Sequence, residues 1–320
     1  MSTSGITRRS FLRGTVAVTT LAASGSLLAA CGDGTEAGGA ATGGAAGTEG
    51  GAGAEGAANA LEQAREQGFL RVGFANEAPY GFADEAGNLT GEAPEAAKVV
   101  TAELGVPELD GVLTDFASLI PGLQAGRFDM IAAGMFITPE RCAEILFSDP
   151  DYCATQAFAV AAGNPLGLES YDDVAANPEV RLGILSGAVE EGYATAAGVA
   201  ESQISNFPDP TSGMEGLQAD RVDAFALTSI SIRNLLDTFG GDAELAGPFV
   251  PVVDGEEQLG CGGYGFRPGQ QSFRDEFNEA LNALKESGDI VPIIEPFGFG
   301  EEEVDAAQEL DADSLCEAEA

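Results

Sequence analysis

The stretch LQAGRFDMIAAGMF, residues 123–136, decides the fold that we expect. It contains a helix end, an Arg-x-Asp connection and a buried apolar strand, and LQADRVDAFALTSI at residues 217–230 repeats that order. Strands that alternate with helices predict parallel β-α-β units. In open sheets of this kind, ligands bind outside the carboxyl ends of the strands. The same pattern also fits plain helix–strand connectors, so the repeat alone indicates an architecture and not a ligand.

The rest of the chain extends this pattern into two α/β series. Between them lies a long apolar strand that begins the second series near Thr155. A helix with an apolar face on Phe273, Phe277, Leu281 and Leu284 follows near the end of the chain. The expected strands are at 69–75, 111–116, 130–136, 154–163, 181–187, 203–209 and 222–229.

The composition argues against several functional classes. The 320 residues carry 52 acidic and 14 basic side chains, a net charge of −38, and the chain has no histidine. Because a nucleic-acid partner requires a cationic surface, we expect none. The lack of histidine removes the usual general base near neutral pH and His-ligated zinc. We expect neither a metal nor a cofactor, and no enzymatic activity, although carboxylates or lysine could still act as catalytic groups.

The N-terminus is typical of an export and anchoring segment. TRRSFL at 7–12 resembles a twin-arginine signal, and the apolar stretch after it ends in LAAC at 28–31. Small residues before a cysteine predict cleavage that leaves Cys31 as a lipidated N-terminus; an ordinary secretory peptide is the alternative. Residues 32–58 contain no large apolar side chain, which predicts a flexible tether. We therefore expect an extracytoplasmic protein that a lipid anchors to the cell membrane.

The remaining cysteines are Cys142, Cys153, Cys261 and Cys316. In an oxidising compartment four cysteines predict two disulfides with three possible pairings. Of these we expect Cys142–Cys153 and Cys261–Cys316, because the first pair closes a short loop.

Several phrases together resemble a known family. At ITPERCAEILFSDPDY, residues 137–152, the chain is similar to the solute-binding proteins of polar-amino-acid-type ABC transporters, and within them to the ectoine- and hydroxyectoine-binding proteins. The resemblance covers about residues 61–317. The phrases that carry it are ANEAPYGF (75–82), LIPGLQAGRFDMIAAGMFITPERC (119–142), YCATQAFAVAAGNPLGL (152–168) and CGGYGFR (261–267).

The resemblance implies a two-lobed α/β fold of the type II periplasmic-binding-protein class, with ligand in the cleft between the lobes. Two segments, near 154–160 and 248–262, would cross between them. Closure of the hinge would trap the ligand, and a membrane permease would bind the closed monomer. The implied division is a signal peptide at 1–30, a lipidated tether at 31–58, lobe 1 at 59–154 and 251–320, and lobe 2 at 155–250.

Ectoine is a small ring that carries a carboxylate and a cation delocalised over N–C–N. The resemblance assigns Arg141 to the carboxylate, because a guanidinium can donate two parallel hydrogen bonds. A surface arginine paired with Glu140 or Glu144 is the alternative. Glu77, which follows the strand at 69–75, would accept hydrogen bonds from the ring nitrogens.

Three aromatic residues complete the implied site. Tyr80, Phe116 and Phe136 follow separate strands, and aromatic faces stabilise a cation by about 0.5–2 kcal/mol each. Plain core packing is the alternative for both phenylalanines, and a turn position after Pro79 is the alternative for Tyr80.

Lobe 2 departs from the wider amino-acid-binding pattern. Relatives usually carry an acid after the second repeated strand, where this chain has Thr228. A hydroxyl cannot balance a primary ammonium, so the sequence argues against a standard α-amino acid. Gly187 and Val189 could offer backbone N–H groups at a helix start. The alternatives that remain are a polar amino acid-binding protein, a dehydratase of the same fold that uses Glu77, and a sensory input domain.

Overall fold

The computed structural model describes residues 59–317. The expected signal peptide, the lipidated Cys31 and the tether up to residue 58 lie outside the described residues. Across 59–317, no helix is both long enough and apolar enough to cross a membrane.

The first part of the chain begins at Asn59, whose side chain accepts a hydrogen bond from the Leu61 N–H (3.0 Å) and starts the first helix. A single 3-10 turn at Phe116–Ser118 precedes the third helix. The elements are α1 (Ala60–Gln67), β1 (Phe69–Phe74), β2 (Phe82–Ala83), β3 (Leu89–Thr90), α2 (Glu92–Glu103), β4 (Glu108–Leu113), α3 (Leu119–Gln124), β5 (Met130–Phe136), α4 (Pro139–Cys142), β6 (Leu146–Phe147) and β7 (Tyr152–Ala154).

The middle part alternates strands and helices. Helix starts again carry polar caps: Asp209 accepts from the Ser212 N–H at 2.8 Å, with Pro210 in the first turn, and Thr228 accepts from the Ser231 N–H at 3.2 Å. The elements are β8 (Gln156–Ala161), α5 (Tyr171–Ala176), β9 (Leu182–Leu185), α6 (Glu190–Ala196), β10 (Ile204–Phe207), α7 (Pro210–Gln218), β11 (Ala224–Thr228), α8 (Ser229–Phe239) and β12 (Ala243–Phe249).

The last part returns to the first sheet and ends in helices. The expected apolar face of the long helix is confirmed, because Phe273, Phe277, Leu281 and Leu284 are all buried. The elements are β13 (Val252–Val253), β14 (Glu256–Glu257), β15 (Gly260–Phe266), α9 (Gln271–Glu286), α10 (Val291–Ile294), α11 (Glu301–Ala307) and α12 (Ala312–Glu317).

Two separate sheets define two lobes, and this two-lobed α/β architecture confirms the expected fold class. Lobe 1 has the order β4-β1-β5-β15-β6, with β7 also paired to β15, and lobe 2 has the order β10-β9-β11-β8-β12. Strands β1, β4 and β5 run parallel to one another, as do β9, β10 and β11, whereas β15 and β8 are antiparallel to their neighbours. The chain passes between the sheets at Thr155, and again between β12 and β15.

The two-residue strands β2, β3, β6, β13 and β14 were not expected from the sequence, and three differences concern longer strands. The strand expected at 111–116 lies at 108–113, because its ladder ends where β1 ends, with Leu113 opposite Phe74. The strand expected at 154–163 is two strands, β7 and β8, that belong to different sheets. Strand β12 was not expected from the sequence, since only Ala246 of its seven residues is buried and it therefore lacks an apolar pattern.

The expected disulfide pairing is wrong. The structure pairs Cys153 with Cys261 and Cys142 with Cys316. Cys153 and Cys261 are directly opposite each other on antiparallel β7 and β15, with Cα atoms 4.0 Å apart. Helix α12 packs against α4 and brings Cys316 to Cys142, at a Cα–Cα distance of 5.7 Å. A short sequence separation was a poor guide, because strand pairing had already fixed the partner of Cys153.

Candidate functional site

A small cavity lies between the lobes, at the carboxyl ends of strands β1, β5, β9 and β11. Seven of the eight sequence-predicted site residues line it; the eighth, Gly187, touches its rim through a hydrogen bond to Arg141. Its volume of about 30 Å³ leaves room for no more than a few water molecules, so a larger solute can enter only when the lobes separate. The lining residues are Glu77, Tyr80, Phe116, Gly134, Phe136, Arg141, Leu185, Ala188, Val189, Glu190, Leu227 and Thr228.

Arg141 supplies the positive charge of the site. It lies on the short helix α4, whose first turn is capped by the Thr138 side chain. Its guanidinium donates to the carbonyl oxygens of Phe136 (2.7 Å) and Gly187 (2.9 Å), which belong to different lobes. Burial lowers its pKa from the ordinary value. Within residues 59–317 no carboxylate lies at ion-pair distance from it, so the structure does not show the alternative pairing with Glu140 or Glu144.

Glu77 supplies a buried carboxylate from lobe 1. A tight turn after β1 holds it, in which its backbone N–H donates to the Gly81 carbonyl (3.1 Å) and the Gly81 N–H donates back (3.0 Å). Only 6% of the residue is exposed. Across the cleft, the Ser231 hydroxyl donates to Glu77 Oε1 at 2.8 Å. Burial raises the pKa of Glu77 to about 7, and the Ser231 hydrogen bond opposes this rise.

Tyr80 connects the lobes through its hydroxyl group. The hydroxyl donates to Thr228 Oγ1 at 3.0 Å, and both residues are buried. The ring lies directly on the backbone of Gly134, where an added Cβ would be 2.1 Å from the ring atom Cδ1. Thr228 therefore lies where sequence comparison placed it, at the end of β11, but its oxygen already accepts from Tyr80 and from the start of α8.

The two phenylalanines have different surroundings. Phe116 lies under the guanidinium of Arg141, with Cζ 5.5 Å from the ring centroid, which is a cation–π contact. Phe136 packs closely on the backbone of Gly260 in β15, where an added Cβ would come within 1.9 Å of its ring. Tyr152, which sequence reasoning did not select, lies between the expected aromatics, 5.3 Å from Tyr80 and 6.1 Å from Phe136 by ring centroids.

Gly187 and Val189 lie where lobe 2 approaches lobe 1. Gly187 has φ +80°, and an added Cβ would be 2.9 Å from both Cα and Cβ of Ala117 in lobe 1. Its carbonyl accepts a hydrogen bond from Arg141, and the expected role of its N–H group as a donor to a ligand stays a prediction. Val189 is half-buried and lies at the start of α6.

Glu190 is the important residue that sequence reasoning missed. It lines the cavity, is 2% exposed, and its Oε2 atom has no hydrogen-bond partner among the described residues. Burial raises its pKa to about 8; Glu77 raises it further and Arg141 lowers it. An acid in the first turn of a helix is normally solvated, as the exposed Glu191 is. The sequence SGAVEE therefore does not indicate which of its two acids is buried.

The fold and the interlobe cavity together define a type II periplasmic binding protein, in which two α/β lobes close on a small solute. The chain belongs to the bacterial extracellular solute-binding proteins, family 3, whose family model matches residues 70–301. It is an amino-acid-type solute-binding protein of the ABC transporter systems and acts outside the cytoplasm.

Three known proteins illustrate the similarity. EhuB, solved in complex with hydroxyectoine, is 40% identical; the match covers 82% of this chain and 99% of EhuB, with a TM-score of 0.75. The probable amino-acid ABC transporter periplasmic-binding protein y4tE of Sinorhizobium fredii is 34% identical over 80% of this chain and 85% of that protein. An ancestral arginine-binding protein bound to arginine is 29% identical over 72% and 98%, with a TM-score of 0.62. Two of the three are named as binding proteins, and the third, EhuB, was solved with a bound solute.

Proposed function

We propose that this protein captures ectoine or hydroxyectoine for import by an ABC transporter. The observation that carries the proposal is the arrangement of opposite charges around one small cavity. Arg141 has no carboxylate partner among the described residues, and Glu77 is a buried carboxylate. Both side chains line the same cavity. A solute that carries both a carboxylate and a delocalised ring cation matches these two groups.

Two further features support ectoine over a standard amino acid. Thr228 occupies the position at the end of β11. Its hydroxyl group cannot neutralise a primary ammonium and already accepts a hydrogen bond from Tyr80. The 40% identity to EhuB, a protein solved with hydroxyectoine, extends over nearly all of that protein. We assign Glu77 to the ring nitrogens, Arg141 to the carboxylate, and Tyr80, Phe116 and Phe136 to the apolar walls.

A polar amino acid is the second candidate ligand. Glu190 favours it, because lobe 2 does supply a buried carboxyl group, at the start of α6 instead of the end of β11. A similar ancestral protein binds arginine. A ligand with a carboxylate and two cationic groups would match Arg141, Glu77 and Glu190.

Mass spectrometry of the solute released from the purified protein tests the proposal directly. Titration calorimetry with ectoine, hydroxyectoine, glycine betaine, glutamate, glutamine and arginine then ranks the ligands. We expect ectoine and hydroxyectoine to bind and the amino acids to bind at least tenfold more weakly, about 1.4 kcal/mol. If any of the amino acids bound more tightly than ectoine, the proposed ligand would be an amino acid and not ectoine.

We also propose that the protein is a monomer, is exported through a twin-arginine signal, and is anchored through a lipid on Cys31. The sequences TRRSFL at 7–12 and LAAC at 28–31 support export and anchoring. The change Cys31→Ser should move the protein from the membrane fraction to the soluble fraction without altering ligand affinity. A variant that stays in the membrane fraction would show that another segment holds it there.

A further inference from the structure

Glu190 has a structural environment that the proposed contacts of ectoine do not explain. It belongs to lobe 2, faces the cavity and is almost completely buried. In the amide orientation that satisfies its neighbours, the side-chain NH₂ group of Gln156 donates one hydrogen bond to Glu190 Oε1 (2.9 Å) and one to the Leu227 carbonyl (3.1 Å). Oε2 has no partner among the described residues. A buried carboxyl oxygen without a donor is costly when the group is ionised.

The titratable groups around Glu190 come from four elements. Arg141 on α4 favours its ionised form, and Glu77 in the turn after β1 opposes it. Tyr171 on α5 and Tyr193 on α6 also face it, and Glu190 contributes to the raised pKa of both phenols, which therefore stay neutral. Glu190 thus has one favourable cation, one unfavourable carboxyl group and no other charged neighbour among these groups.

For a bound zwitterion, the charges of the closed cleft balance when one of the two carboxyl groups is ionised and the other is neutral. The carboxylate of the zwitterion pairs with Arg141, and its cation pairs with Glu77. If Glu190 were also ionised, one uncompensated negative charge would remain on a residue that is only 2% exposed, which is unfavourable. A solute with one net positive charge has the opposite requirement, because its second cation needs a second carboxylate.

We propose that Glu190 selects the net charge of the ligand: its neutral form admits a zwitterion, and its ionised form admits a solute with one net positive charge. The identity of the zwitterion as ectoine rests on the proposed function. In the neutral form, the Oε2 hydroxyl becomes a donor that can hydrogen-bond an acceptor of the solute. In the ionised form, the same oxygen accepts from an ammonium or guanidinium group.

The direction of the pH effect follows from the two carboxyl groups. Since burial raises the pKa of Glu77 to about 7 and that of Glu190 to about 8, near pH 7.5 the pair holds about one proton. Below this range Glu77 loses the charge that the ring cation requires. Above it, a zwitterion must bind together with a proton on Glu190, so its affinity should fall up to tenfold per pH unit, about 1.4 kcal/mol.

Calorimetry between pH 6.5 and 9.0 tests this inference with ectoine and with L-arginine. The wild-type protein should bind ectoine most tightly near pH 7.5 and take up close to one proton per ectoine at pH 9.0, measured in buffers of different ionisation enthalpy. Glu190→Gln, which cannot ionise, should show no proton uptake and should bind ectoine about tenfold more tightly than wild type at pH 9.0. It should also lose the arginine binding that wild type gains as the pH rises.

Glu191→Gln is the matched control, because Glu191 is the exposed neighbour in the same helical turn. Its pH profile should coincide with that of wild type. Parallel profiles for wild type and Glu190→Gln, or the absence of proton uptake by wild type at pH 9.0, would overturn the inference. The proton-uptake measurement needs no variant, so a folding defect of Glu190→Gln would not remove the test.

The two proposals fail in different ways. If the protein ignores ectoine at every pH but binds arginine, the proposed function is wrong. The inference about Glu190 still stands if arginine affinity rises with pH in wild type and not in Glu190→Gln. If ectoine binds but its affinity does not fall above pH 8, the proposed function stands and the inference about Glu190 is wrong.

Discussion

The substitution Gly187→Ala should weaken ligand binding without removing any group that contacts the ligand. Gly187 lies on lobe 2 and its backbone approaches Ala117 of lobe 1 so closely that a Cβ would be 2.9 Å from the Ala117 Cα. Real Cβ contacts are longer than this. The two nearest atoms, the Cα and Cβ of Ala117, cannot move aside without the backbone of lobe 1. The closed arrangement of the lobes must therefore shift. Forcing extra volume into a packed contact costs about 1–3 kcal/mol, which corresponds to roughly 5–150-fold weaker binding.

A matched control separates this contact from backbone strain. Gly187 has φ +80°, so an alanine there is strained in the open and the closed protein alike, by about 1–2 kcal/mol. Gly198 has φ +89° with nothing within 4 Å of an added Cβ. Gly198→Ala should therefore lower the melting temperature as Gly187→Ala does, but leave calorimetric affinity unchanged. Equal affinities for Gly187→Ala, Gly198→Ala and wild type would show that this contact is absent from the bound state.

Substitutions at three further positions test the charges of the protein. Arg141→Ala should weaken ectoine binding by roughly 10²–10³-fold or more in calorimetry, because leaving the buried carboxylate of the ligand unpaired costs about 3–5 kcal/mol. Arg141→Lys should recover only part of this affinity. A loss of affinity below about fivefold for Arg141→Ala would place Arg141 outside the bound complex. Glu77→Gln should weaken binding by roughly 10–150-fold, since hydrogen bonds to charged groups contribute about 1.5–3 kcal/mol, and an unchanged affinity would assign the ring cation to another group. Glu92→Gln tests a buried carboxyl pair in lobe 1: burial and the neighbouring Asp151 raise the pKa of Glu92, so its contribution to stability is present at low pH and is lost as the pH rises. In urea unfolding, the free energy of unfolding of this variant should decrease less from pH 5 to pH 8 than that of wild type. The same pH dependence in both proteins would argue that the pair does not titrate in this way.

The architecture could be predicted because hydrophobic periodicity fixes it locally. The repeated Arg-x-Asp-strand pattern predicted β5 and β11 as buried strands, and the structure places both at the centres of their sheets. The apolar face of α9 was visible in its spacing. The short and exposed strands were missed for the same reason. Strand β12 and the hairpin of β13 and β14 have little apolar pattern, and their positions depend on pairing with distant parts of the chain.

The site was predictable to the extent that its residues follow strand ends. Glu77, Phe136 and Thr228 come directly after or at the ends of buried strands, where a ligand contact is expected. Ser231 and Glu190 lie one helical turn beyond, and their burial depends on the opposite lobe. A single sequence does not reveal which face of a short helix meets another lobe, so the second carboxyl group of the cleft was overlooked.

The division of polar groups between the lobes indicates how capture and closure are coupled. Lobe 1 supplies Arg141 and Glu77, the two groups proposed to hold the charges of a zwitterion. Lobe 2 meets these same side chains through the Gly187 carbonyl and the Ser231 hydroxyl. A ligand shifts the equilibrium toward closure only by its differential affinity for the two states. Because Arg141 and Glu77 contact lobe 2 themselves, a ligand favours closure most when it leaves these interlobe hydrogen bonds in place or replaces them with bonds of equal strength. A solute that binds lobe 1 tightly but displaces both contacts would occupy the open protein without closing it.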